Sequence, residues 1–160
     1  MRKQMAAVVA GSAVAAAAIA GGRFGPTPAH PATAVWYARL RKPFYTPPGP
    51  VFGAAWTLLD GLLVYAGYRL LRHKPQHKRT VALGLWGLTV AGVGGFSWVL
   101  FGRKRLDEAL GVTAGMVATS VGLVAAAEQV DRKAALASLP LAAWVSFAFL
   151  LQEEVWRRNR

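Results

Sequence analysis

Five apolar runs, at about residues 5–22, 50–71, 80–101, 107–127 and 134–156, constrain this chain more than any other feature. Each is 18 to 23 residues long. About 20 residues rising 1.5 Å apiece span a hydrocarbon core of about 30 Å, and only closed hydrogen-bonding structures survive there. The segments between the last four runs, "RHKPQHKR", "GRKR" and "EQVDRK", are short and mostly basic. Short connections force neighbouring helices to run antiparallel. The expectation is an all-α polytopic membrane protein, a bundle of five transmembrane helices with a longer segment, about 23–49, between the first two.

Charge supports that reading. The chain carries 19 Lys+Arg against 7 Asp+Glu, with 54% hydrophobic residues. A nucleic-acid binder would array its cations over a polar face with exposed aromatics, whereas here they fall between apolar blocks, so no nucleic-acid partner is expected. The partner that this pattern does imply is a lipid membrane. Orientation is not encoded: with alternate loops on alternate sides, the cations divide nine to ten. Cysteine is absent, which removes disulfides, thiol nucleophiles and cysteine metal sites. The first run, "MRKQMAAVVAGSAVAAAAIAGG", reads equally as a secretory leader and as a first span, since alanine gains little in lipid and needs close packing through small side chains.

Several residues inside the runs ask for partners. Trp36, Trp98 and Trp156 lie at or beyond run ends, where indoles favour the interface. Trp56 and Trp144 lie at least a turn inside, which favours a protein interior that offers their N–H a partner or a ligand. Asp60 follows Trp56 by four residues, on the same helix face. An acid in a span faces a bundle interior or water, either as a polar group in a cavity or beside a structural partner. Glu153 with Arg157 and Glu154 with Arg158 are i,i+4 pairs of favourable order. The small-residue faces Gly87/Ala91/Gly95 and Gly111/Gly115/Thr119/Gly122 permit close helix approach, and packing inside one monomer is the expectation for them. No phosphate-binding glycine loop, nucleophile–base arrangement or metal-ligand cluster is present, so no catalytic residue and no metal site is assigned.

The stretch "WYARLRKPFYTPPGPVFGAAW", Trp36 to Trp56, resembles the signature of the TspO/MBR family of tryptophan-rich sensory and translocator proteins. "FGRKR" (101–105) and "LPLAAWVSFAFLLQ" (139–152) are similar to the family's turn between its third and fourth helices and to its fifth helix, so the resemblance runs over about 35–160. It implies a single five-helix membrane domain over 1–160, a retained first helix, a homodimer, and a ligand cavity inside the bundle roofed by the 23–49 segment. The ligand it implies is a porphyrin, protoporphyrin or heme, with no obligatory cofactor. Position by position, it places Tyr37, Pro43, Pro47 and Pro48 in the lid, and Trp56, Asp60, Phe96, Ser97, Trp144 and Ala148 in the cavity. Trp56 and Trp144 would also be the reactive pair if light-dependent porphyrin breakdown occurs. Arg39, Arg41 and Lys42 are candidates for propionate carboxylates or for lipid headgroups. Departures from the family pattern are Asp60 for a Tyr, Thr89 and Val93 for polar residues, Leu141 for a Tyr, and Gln152 for an Asn; the C-terminal sterol motif has no counterpart. A bacterial inner membrane is the expected location.

Overall fold

A computed structural model describes residues 1–160 and contains only helices. Five are long and apolar enough to cross a membrane. They are α1 (Lys3–Gly22), α3 (Gly49–Arg72), α4 (His77–Ser97, prolonged by a wide turn over Trp98–Gly102), α5 (Leu106–Glu128) and α6 (Arg132–Arg158). The short α2 (Pro31–Arg39) lies within the connection between α1 and α3. The five spans of the sequence reading are thus found, each extended by one to three residues at most ends.

Helix ends follow local chemistry. Pro48 is extended (ψ 151°), and Pro50 sits in the first turn of α3, where a missing N–H costs nothing. Asp131 caps α6 by accepting the N–H groups of Lys133 (2.9 Å) and Ala134 (3.2 Å). At the end of α4 the Arg103 N–H donates to Trp98 O at 2.9 Å, five residues back, which widens the last turn. Lys104 then reverses the chain in the left-handed region (φ 56°).

The spans close into a ring, α1–α3–α6–α5–α4 and back to α1. Alanine-rich α1 enters it through small side chains: Ala6, Ala10 and Val14 are buried, and a Cβ on Gly94 of α4 would stand 3.1 Å from Ala17 O. The half of the bundle around Leu63, Leu70, Leu123, Leu141 and Val145 is filled solid. There Trp86 packs against Gly67, where a Cβ would meet its ring at 2.5 Å, and donates its Nε1–H to Leu63 O at 2.9 Å.

Two small-residue faces are placed differently from the sequence expectation. Gly87, Gly95, Gly111 and Gly115 have open space where a Cβ would be, and only Gly122 meets a neighbour, the Leu85 side chain at 3.4 Å. α5 instead turns Ala109, Thr113, Met116, Ser120, Leu123 and Ala127 inward. In lipid both faces of a helix are apolar, so composition carries no contrast that would show which one packs.

Candidate functional site

The other half of the bundle is hollow. A cavity of about 580 Å³ lies beneath the α1–α3 connection, enclosed by the C-terminal ends of α1, α4 and α6 and the N-terminal half of α3. Its space comes from side chains that stop short: Ala17 and Gly21 on α1, Gly49 and Gly53 on α3, and Ala148 on α6. Its walls are aromatic. Phe52 meets Trp144 edge-on with ring centroids 5.7 Å apart, and Tyr37 meets Phe101 likewise at 5.5 Å. Trp144 continues to Phe147 (5.7 Å), and Phe147 to Tyr45 of the connection (6.5 Å).

Seven residues singled out in the sequence line this one space: Tyr37, Trp56, Asp60, Phe96, Ser97, Trp144 and Ala148. Pro43, Pro47 and Pro48 do not. They shape the strap over it: Pro43 is buried, and its carbonyl accepts both the N–H (3.1 Å) and the hydroxyl (2.7 Å) of Thr46, making the turn that aims Thr46 and Leu40 inward. The strap carries a helix of its own, since Trp36 and Tyr37 belong to α2. Trp36, expected at the rim, is half-buried against the Val99–Leu100–Ala109 cluster, with Lys104 Nζ 5.9 Å from its ring centroid.

Gly25 to Pro28, just after α1, form part of the roof, within the 23–49 segment expected there. Two further contributors escaped the sequence reading. Phe101 and Leu100 reach the cavity from the widened turn of α4. Asn159 ties the strap down: its Oδ1 accepts the Arg41 N–H (2.9 Å), while its Nδ2 donates to Arg41 O (3.0 Å) and Val155 O (2.7 Å). No sequence signal marks an Asn 118 residues from its partner.

The polar content of the cavity is sparse. Asp60 Oδ1 and Trp144 Nε1 are the two buried side-chain polar atoms in the chain that have no hydrogen-bond partner. Gln152 lines the wall and donates to Leu106 O at 3.3 Å. Of the departures from the family pattern, Val93 and Gln152 lie on the wall, but Thr89 and Leu141 are buried and absent from it; the Thr89 hydroxyl is used by Leu85 O at 2.8 Å. On the strap, burial pushes the Tyr37 hydroxyl above its ordinary range, so it remains a neutral donor. Lys42 folds back onto α2: its ammonium donates to Tyr37 O and Leu40 O and lies 4.6 Å from the Tyr37 ring centroid. Burial also lowers its affinity for the proton. A lysine used this way stabilises the end of α2 and is spoken for as a carboxylate partner; Arg39 and Arg41 are exposed.

Five spans around a strapped, aromatic chamber of small-molecule size define a polytopic membrane protein with an internal cavity. The chain belongs to the TspO/MBR family, whose model matches residues 12–157, reaching further back into α1 than the resemblance read over 35–160. It is 32% identical over 124 residues to the tryptophan-rich sensory protein of Cereibacter sphaeroides, covering 78% of this chain and 77% of that one. The human translocator protein is 30% identical over 126 residues, with 78% and 75% covered. The tryptophan-rich protein TspO of Archaeoglobus fulgidus is 28% identical over 131 residues, with 78% and 80% covered.

Proposed function

We propose that this protein is an integral membrane receptor or translocator for a tetrapyrrole of porphyrin type, bound in the chamber beneath the strap. The observation that carries the reading is a 580 Å³ space walled by Trp56, Trp144, Phe52, Phe96, Phe101 and Tyr37. Rings of that kind bury a flat hydrophobic molecule and add about 1 kcal/mol apiece in stacking beyond area burial. The family membership supports the same class of ligand. Propionate arms would leave through the strap side, towards Arg39 and Arg41, because no cation lines the cavity itself.

In this reading the 160 residues form one membrane unit in a bacterial inner membrane, and a second copy packs against the outward small-residue faces of α4 and α5. The test is a titration of purified protein with protoporphyrin, followed by tryptophan fluorescence. Replacing both Trp56 and Trp144 by Phe is expected to weaken binding about tenfold while the protein still folds. An unchanged binding curve overturns the proposal.

The shared cavity position of the two indoles also favours a second reading, in which they donate electrons to a photoexcited bound porphyrin and dioxygen consumes the reduced ring. Illumination would then yield a new absorbing product with the wild type and none with the double Phe variant. Equal bleaching in lipid alone overturns that reading.

A further inference from the structure

Asp60 does not behave like the other acids of this chain. There are seven acidic side chains, and six of them, Asp107, Glu108, Glu128, Asp131, Glu153 and Glu154, have an Arg within 4.0 Å. Asp60 has none, and its Oδ1 is buried without a partner. Among the residues that line the cavity it is the only carboxylate, and no Lys, Arg or His accompanies it. Carrying an acid into a span costs about 2.5–3.5 kcal/mol at the helix centre, so its retention without a protein partner calls for something that enters the cavity.

Its surroundings narrow what that is. Trp56 lies one turn earlier on the same face of α3, and Trp144 of α6 lines the same cavity with its own Nε1 unpartnered. A carboxylate in a chamber that is also lined by indole rings offers a desolvated cation both an ion pair and the ring quadrupoles. We propose that the inner wall of the cavity selects flat hydrophobic ligands bearing a cationic or strongly donating nitrogen, which is received by Asp60. Trp144 Nε1 serves an acceptor on the same molecule. Ligand carboxylates are excluded from this end by like charge and must point to the strap. The inference rests on the cavity being the ligand site and is independent of the ligand being a tetrapyrrole.

Three tricyclic probes of one shape test it, with the protein in phosphatidylcholine nanodiscs: proflavine as the cation, anthracene as the neutral ring and anthracenecarboxylate as the anion. The wild type is expected to bind proflavine at least about tenfold more tightly than anthracenecarboxylate. Asp60→Asn should lose about tenfold for proflavine and change less than about twofold for anthracene, whereas Asp60→Glu keeps the preference for the cation. Filling the cavity with Ala148→Phe should remove all three.

If anthracene binds wild type and Asp60→Asn alike and proflavine shows no preference, the cavity stands as a binding site and the ligand class falls. If the wild type binds none of the probes, both fall. Should Asp60→Asn fail to fold, equal affinity of the wild type for proflavine and anthracenecarboxylate overturns the proposal by itself. Proflavine binding that survives Ala148→Phe unchanged also overturns it.

Discussion

Trp86 and Trp144 both lie inside apolar helices, yet Trp86 donates to Leu63 O at 2.9 Å while Trp144 Nε1 is buried with no partner. Asp131 and Asp60 differ in the same way. Asp131 receives Arg69 at 2.8 Å, the Nε2–H of His73 at 2.7 Å, and two backbone N–H groups; Asp60 Oδ1 receives nothing. Each contrast pairs a group from the packed half of the bundle with one from the hollow half. The packed half resolves every buried polar group internally, as low dielectric demands. The hollow half leaves two of them open, Asp60 Oδ1 and Trp144 Nε1, which is what the proposed ligand site requires.

That division can be broken by exchanging the properties of the halves. The largest effect is expected from filling the cavity: Ala148→Phe should weaken protoporphyrin binding by about ten- to a hundredfold, as overpacking a fixed space costs about 1–3 kcal/mol. Its unfolding midpoint should not fall, because the space it enters is empty. Titration and thermal unfolding in the same detergent check both parts. The converse change is Gly67→Ala, whose Cβ would stand 2.5 Å from a Trp86 ring pinned by its hydrogen bond. Destabilisation of about 1–3 kcal/mol is expected with ligand affinity retained. Gly61→Ala, on the same helix but with nothing within 4 Å, is the control and should be near neutral.

A smaller effect is expected at Asp131. Burial raises the pKa of its carboxyl, but the hydrogen bonds from His73, Arg69 and the Ala134 N–H outweigh that and hold it at about 2. An ordinary aspartate titrates near about 3.9. A depressed folded-state pKa contributes stability that is present above about pH 4 and is lost as pH falls towards about 2. Asp131→Asn should therefore be less stable than wild type by about 1–2 kcal/mol at neutral pH, and the difference should close between about pH 4 and pH 2. Unfolding of the two proteins across that range checks the sign; a gap that widens on acidification would contradict it.

The smallest change is expected at Asn159, which holds the strap through two exposed hydrogen bonds to Arg41. Asn159→Ala should speed ligand entry and exit by about threefold each and leave equilibrium affinity nearly unchanged, since each such bond contributes about 0.5–1.5 kcal/mol. Stopped-flow mixing with protoporphyrin reads both rates.

Much of this fold was legible because the bilayer imposes length and composition together: the five runs found their helices, with boundaries shifted by a few residues. The i,i+4 pairs at the end of α6 also form, with Arg157–Glu153 at 3.6 Å and Arg158–Glu154 at 2.7 Å, because both partners sit on one helix. The site was legible in part. Trp56, Asp60 and Trp144 stood out as polar groups inside apolar runs, and they line one cavity. Trp86, equally deep in its run, turned out to be structural, because the glycine and carbonyl that receive it belong to another helix.

Alone, the sequence determined the number of spans, the antiparallel order, the family signature from Trp36 to Trp56, and the presence of one acid, Asp60, inside a span; that this acid has no ion pair was decided by the tertiary structure. The tertiary structure decided which half of the bundle is solid and which is hollow, which glycines touch a neighbour, and that Asn159 anchors the strap. The physical reason is that lipid removes the hydrophobic contrast that would tell an inward face from an outward one. Side-chain volume, accumulated across helices far apart in sequence, then settles where the packing closes and where it leaves a chamber.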